Sequence, residues 1–301
     1  MIDASPPPGP RRIRLAEEGW FLAVPSLDAA ALSRILAAHR ENRDPARILK
    51  RNLGTVVTRV RLEAGVLPAA SGVPAELVVK EVPVRLPRRL FHALGGASTF
   101  RREFDAASRL ERLCIHSPRP IACTYRPGPG GARHSEFLIS EMVQSSVPLH
   151  DLLWLGGSVL TDTAELRALL ERVGAWLRHV HDQGVWQRDM KPSNVLLRGE
   201  DFFLVDITAL KILPRPLDDN RRVRNLAQLL DLTRAHDAVA REPLLTAYSC
   251  GRAEDIARWA RKVDAAIEAR RDYREKQCGF RYVDEEHRWN QEAGPKGRGL
   301  M

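Results

Sequence analysis

Residues 185–197 read Val185-Trp186-Gln187-Arg188-Asp189-Met190-Lys191-Pro192-Ser193-Asn194-Val195-Leu196-Leu197. The run sets a carboxylate, an ammonium and an amide at i, i+2 and i+5. Pro192 restricts the turn that carries them, and the apolar strand Val195-Leu196-Leu197 closes it. Upstream, Leu166, Leu169, Leu170, Val173, Trp176, Leu177 and Val180 recur at spacings of three and four, which predicts an amphipathic helix. Asp162 and Glu165, three apart, suit its start as a capping box. For any one polar residue of the run, an ordinary turn between helix and strand is the simpler reading. For the whole ordered set it is not.

Moving toward the C-terminus, Phe202-Phe203-Leu204-Val205-Asp206-Ile207-Thr208 is an apolar strand ending in a carboxylate. Asp206 alone reads as a turn residue. Moving toward the N-terminus, Lys80 interrupts Leu77-Val78-Val79-Lys80-Glu81-Val82. A lysine inside an apolar strand is costly unless it meets an anion. A candidate partner is Glu103 in Phe100-Arg101-Arg102-Glu103-Phe104, within a basic helix over about 98–113; Asp105 and Glu111 compete with it, and an edge-strand lysine is the alternative.

Further elements frame these segments. From 48 to 62 the period falls to two, with Val56, Thr58, Val60 and Leu62 on one side and Val57, Arg59 and Arg61 on the other. Gly54 precedes the alternating part, in Lys50-Arg51-Asn52-Leu53-Gly54-Thr55, where it would allow close backbone approach; an ordinary hairpin turn fits equally. Pro68 to Pro74 reads as a hairpin connection, and Phe137-Leu138-Ile139 as a strand leading to Ser140-Glu141-Met142-Val143. Ser26 is placed to cap a helix over 27–42, with Ala30, Ile35, Leu36 and His39 at helical intervals. Further helices fit 219–236 and 252–275. Residues 1–12 read as a proline-rich leader and those after 284 as a loose polar tail.

The bulk numbers fit one large domain or two packed lobes: 301 residues, 44% hydrophobic and 28% charged. Forty-seven Lys and Arg against 38 Asp and Glu leave a net charge of +9, which favours anionic partners without choosing among them. Four cysteines show neither a CxxC pair nor metal-ligand spacing. An apolar signal core and any membrane-length apolar run are lacking, so a cytoplasmic protein is expected, with a peripheral membrane contact open. Nucleic acid is not expected, since no zinc, RNA-recognition or helix-turn-helix pattern is present.

The run Asp189, Lys191, Asn194 resembles the catalytic loop of the protein-kinase-like superfamily. The resemblance implies an α+β, bilobal fold, with a strand-rich N-lobe over 46–141 and a mainly helical C-lobe over 142–283. An N-terminal leader and extra helix (1–45) would precede them, and a polar tail (284–301) follow. It implies ATP and Mg2+, with Asp189 taking the acceptor's proton and Lys191 offsetting charge on the γ-phosphate. Asn194 and Asp206 would bind metal, and Lys80, paired with Glu103, would hold the α- and β-phosphates. Gly54 would lie over the phosphates, and backbone groups of Glu141 and Val143 would meet the adenine. Phosphoryl transfer needs these residue types: a carboxylate at the hydroxyl, a cation at the moving phosphoryl group, and oxygen ligands for the metal.

Within the superfamily, the chain is similar to the lipopolysaccharide core kinases (Kdo and heptose kinases). Arg88-Arg89-Leu90, Phe100-Arg101-Arg102-Glu103-Phe104, Ser117-Pro118-Arg119-Pro120-Ile121-Ala122 and the lack of Ala-Pro-Glu after Asp206 carry that likeness. It implies a sugar or glycolipid acceptor and a contact with the anionic inner face of the cytoplasmic membrane. Gln187 stands where most relatives carry histidine, a structural brace. The short segment after Asp206 leaves little room for peptide docking. A protein serine/threonine kinase and a nucleotide-binding pseudokinase scaffold are the alternatives. One of His179 and His181 is expected to pack against the loop, neither as a metal ligand. The tryptophans 154, 176, 186 and 259 read as packing, and the arginine clusters at 85–89 and 268–274 as solvated faces or sites for acidic lipid.

Overall fold

The computed structural model describes residues 9–16, 18–41, 48–52, 55–62, 73–84, 98–127, 135–153, 163–231, 237–278, 281–283 and 288–290. Two compact units divide the chain, Met1–Ser145 and Ser146–Met301. The first contains β1 (Arg11–Leu15), β2 (Gly19–Ala23), α1 (Ala29–Glu41), β3 (Ile48–Asn52), β4 (Thr55–Arg61), β5 (Glu76–Pro83), α2 (Thr99–Arg112), β6 (Pro120–Pro127) and β7 (Ser135–Glu141). Its strands form one seven-stranded sheet in the order β1-β2-β6-β7-β5-β4-β3, with every pairing antiparallel.

Strand periodicity splits this sheet into two apolar faces. Phe21, Val60, Leu77, Val79, Phe137 and Ile139 share one cluster with Leu32, Ile35 and Leu36 of α1. Leu22, Cys123 and Leu138 take the other face, against Phe100 and Phe104 of α2. Each fully buried Phe, Leu or Ile contributes about 1.5–3 kcal/mol, so α1 is an integral cover of the sheet. Its cap is Asp28, which accepts from the Ala31 N–H at 2.7 Å; the sequence pointed to Ser26, two residues early. Strand β1 starts at Arg11, inside the stretch expected as leader. Among the sequence expectations, Asp162, Trp154, Arg88-Arg89-Leu90 and most of the 68–74 connection lie outside the described residues.

The second unit runs β8 (Val147–Pro148), α3 (Leu149–Leu153), α4 (Thr163–Asp182), β9 (Val185–Trp186), β10 (Val195–Arg198), β11 (Asp201–Leu204), β12 (Lys211–Ile212), α5 (Asp219–Leu230), α6 (Asp237–Tyr248) and α7 (Ala253–Cys278). A hairpin of β13 (Arg281–Val283) and β14 (Arg288–Asn290) follows, its second strand within the stretch expected to be a loose tail. The predicted α4 stripe faces inward: Leu166, Leu169, Leu170, Val173, Leu177 and Val180 are all buried. Gly174 lets α6 pack closely on α4, since a Cβ there would collide with the Leu244 carbonyl.

Gly184, at φ +73°, turns the chain from α4 into β9; a Cβ there would meet the Leu213 and Arg215 carbonyls. Asp231, fully buried at the end of α5, is matched by Arg270 at 3.4 Å and Arg271 at 3.1 Å. Two arginines of the 268–274 cluster therefore neutralise a buried carboxylate; they do not form a solvated face.

Candidate active site

The α4 helix, the Gly184 turn and the short β9 strand deliver residues 187–191 to the surface of the second unit. The Lys191 ammonium lies 2.9 Å from the Asp189 carboxylate. The Asn194 side-chain N–H donates to the Asp189 carbonyl at 2.9 Å and to its carboxylate at 3.3 Å. Asp189 is half-exposed while Asn194 is buried. Because the amide nitrogen is spent on Asp189, the amide oxygen of Asn194 is the atom turned away from it, available to a cation. A 3-10 turn, Pro192–Asn194, fixes this order.

The β10–β11 hairpin then places Asp206 beside the loop. Val195 pairs with Leu204, and the Val205 N–H donates to the Asn194 carbonyl at 3.0 Å. Asp206 adopts a left-handed conformation, φ +52°, which Asp tolerates better than most residues. The Gln187 side chain donates to the Asp206 carbonyl at 3.2 Å, and the Thr208 hydroxyl to its carboxylate at 3.4 Å. Gln187 thus links loop and hairpin.

Beneath the loop lies a buried polar network whose α5 and α6 members the sequence reading missed. Asn225 donates to the Gln187 carbonyl at 2.6 Å, and Gln228 donates to the Arg188 carbonyl at 2.8 Å. The Met190 N–H donates to the Gln228 side chain at 3.1 Å. His181 sits between the Tyr248 hydroxyl, at 2.8 Å, and the Asn225 amide oxygen, at 3.2 Å. Burial, with the nearby Arg222 charge, lowers the His181 pKa to about 3, so the ring is neutral; burial also pushes Tyr248 up to about 12. The available signal was Asn225 and Gln228, i and i+3 within the apolar run Leu226-Ala227 and Leu229-Leu230.

In the first unit, Lys80 projects from the face of β5 that α2 covers, opposite Leu138. Its ammonium lies 3.7 Å from the Glu103 carboxylate and 5.5 Å from the Phe100 ring centroid. Of the other sequence candidates, Asp105 and Glu111, the first pairs with Arg101 at 2.8 Å. At the end of β7, the Glu141 N–H donates to the Arg119 carbonyl at 2.9 Å and its carboxylate accepts from the Arg119 N–H at 2.9 Å. Val143 is buried. Asn52 pairs with Thr55 across the β3–β4 turn, and Gly54 itself lies outside the described residues.

The residues present fit a divalent cation of the Mg2+ type. Among the described residues no three His, Cys, Asp or Glu side chains gather into a site of their own. An amide oxygen and a carboxylate, Asn194 and Asp206, are what Mg2+ takes when substrate phosphates and water complete its shell.

The profile of the lipopolysaccharide kinase (Kdo/WaaP) family matches residues 55–248. The chain belongs to that family, and it is a kinase. The match to this lipopolysaccharide kinase family spans both Lys80 and the Asp189–Asp206 segment. Among solved structures, WaaP in complex with acyl carrier protein is similar at TM-score 0.50 and 20% identity, over 74% of this chain and 86% of that one. That likeness speaks for the fold: a strand-rich N-terminal part and a helical C-terminal part, as in kinases. A divergent kinase lacking the glycine-rich loop, from the Toxoplasma parasitophorous vacuole, gives TM-score 0.41 at 15% identity over 81% and 80% of the two chains. The Mycobacterium tuberculosis PknI kinase domain gives 0.38 at 18% identity over 74% and 93%. No curated protein matches the kinase in sequence. Among its described residues no helix is long and apolar enough to cross a membrane.

Proposed function

We propose that this kinase transfers the γ-phosphoryl group of ATP to a hydroxyl of a lipopolysaccharide-core sugar or related glycolipid. The observation that carries the reading is the convergence of Lys191 and Asn194 on Asp189 at one exposed loop. The acceptor oxygen forms its bond to the γ-phosphorus as the bond to the β–γ bridging oxygen breaks, ADP leaves, and the hydroxyl proton passes to Asp189. Lys191, already beside that carboxylate, offsets charge on the transferring group. Asn194 and Asp206 would hold Mg2+, which would supply positive charge against the phosphates. Lys80, oriented by Glu103, takes the α- and β-phosphates, and backbone groups of Glu141 and Val143 meet the adenine.

The net charge of +9 supports a peripheral contact with the anionic cytoplasmic face of a membrane, where such an acceptor is presented. WaaP is solved in complex with acyl carrier protein; copurification of that carrier with this chain would extend the partner to it. The test is ATP- and Mg2+-dependent phosphate transfer to deacylated core oligosaccharide by the native chain and by Asp189→Ala. Loss of the base costs about 10²–10⁴-fold. Equal rates for the two proteins would remove Asp189 from this role.

A further inference from the structure

Three residues before Asp189, three cations converge on a single indole. The Arg221 guanidinium lies 5.1 Å from the Trp186 ring centroid, Arg188 5.8 Å and the Lys211 ammonium 6.0 Å. The β9–β12 register puts Lys211 directly opposite Trp186, so both project from one face of that two-stranded ribbon. Arg221 arrives from the first turn of α5, where Asp218 pairs with it.

Several other basic side chains of this unit are matched. Arg222 has Asp182 at 2.6 Å, Lys262 has Asp219 at 2.6 Å, and Arg270 and Arg271 share Asp231. Among the described residues no carboxylate pairs with Arg188 or Lys211. A ring face attracts each cation by about 0.5–1 kcal/mol at an exposed site, which leaves their mutual repulsion largely uncompensated. Two donors at the same place are also unspent: Trp186 Nε1 and Arg221 Nε are buried without a hydrogen-bond partner among the described residues. Three cations with unused N–H groups want an anion.

We propose that Arg188, Lys211 and Arg221 form an anion-binding subsite around Trp186, which holds an acidic group, carboxylate or phosphate, of the sugar acceptor. This rests on the acceptor reading above and sharpens it: the acceptor carries negative charge near the hydroxyl that reacts at Asp189. The subsite fixes the acceptor through its anion while the loop performs the transfer.

Calorimetric titration of the full chain with deacylated core oligosaccharide, without nucleotide, tests the subsite directly. Lys211→Glu weakens binding by about tenfold or more, and Arg188→Gln acts in the same direction. Reducing the carboxylates of the oligosaccharide and removing its phosphates weakens binding to the native chain, and Lys211→Glu then adds no further penalty. Each treatment alone tells which group is held. Lys276→Glu, the same charge change on an exposed part of α7, leaves binding as it was.

Three results would overturn the subsite. They are no binding of the acidic oligosaccharide, equal binding of the acidic and neutralised forms by the native chain, or equal weakening by Lys211→Glu and Lys276→Glu. Lys211 is exposed, so Lys211→Gln with a matching melting curve guards against misfolding. Absence of phosphate transfer with the charge dependence intact counts against the kinase's acceptor reaction and leaves the subsite standing. Transfer by Lys211→Glu at an unchanged acceptor KM counts against the subsite alone.

Discussion

Around Asp189, backbone groups of Gln187, Arg188 and Met190 are each tied to a buried amide side chain of α5. Lys80, by contrast, meets the Glu103 carboxylate at 3.7 Å and the Phe100 ring. The loop is held by a neutral, fully enclosed network, whose members cannot be removed singly without stranding a partner. The strand lysine is held by an ion pair between a buried Glu103 and a part-exposed Lys80, whose desolvation offsets most of its attraction, so its net worth to folding is small. Stability and chemistry are therefore coupled at the loop and nearly separate at the strand.

The largest effect expected from this contrast is Asp189→Asn. Its kcat for phosphate transfer falls about 10²–10⁴-fold while its melting temperature stays within a few degrees of native, because Asp189 is on the exposed side of the network. A loss of fold in that variant would contradict the division between a reactive surface and a bracing interior. Next comes Gln228→Leu, which strands the Met190 N–H and the Arg188 carbonyl. Buried unmade hydrogen bonds cost about 1–3 kcal/mol each, so chemical denaturation is expected to show a loss of about 3 kcal/mol, with kcat reduced as the loop shifts.

The third effect is pH dependence. His181 titrates at about 3 when folded and near 6.5 when unfolded, so the unfolded chain binds the extra proton between those values. Its contribution is full above about pH 6.5 and shrinks as pH falls toward 3. From pH 7 to pH 5 it removes about 2 kcal/mol of stability. His181→Gln is expected to lower stability at pH 7 and to flatten this slope; an unchanged slope would show the ring is not the titrating group. The smallest effect is Glu103→Gln, which raises the KM for ATP about tenfold and, because it keeps the shape and hydrogen-bonding atoms of the buried side chain, changes folding stability by about 1 kcal/mol. A large stability loss there would erase the contrast with the loop.

Local pattern made some of this legible and left some of it hidden. The run 187–194, the α4 stripe, β5 and α2 declare themselves because neighbours in sequence are neighbours in the element. Strand β1, Arg-Arg-Ile-Arg-Leu, hides behind three arginines, of which Arg11 donates to the Leu27 carbonyl. Helix α6 contains Pro243, which reads as a breaker, yet packing against α4 carries it through. Asn225 and Gln228 point to loop backbone 38–40 residues away, and such pairing leaves no local trace except two amides in an apolar stretch.

The backbone at Asp206 also decides how that carboxylate should be interrogated. A left-handed φ of +52° suits aspartate and asparagine and penalises alanine and, still more, valine or threonine. Truncation to alanine would confound lost charge with a distorted peptide, so its kinetic defect would overstate what the oxygen atoms do. Asparagine keeps the torsion and removes only the formal charge, and glycine relaxes the torsion and removes the whole side chain. Read side by side, that pair separates electrostatics from conformation at a single position.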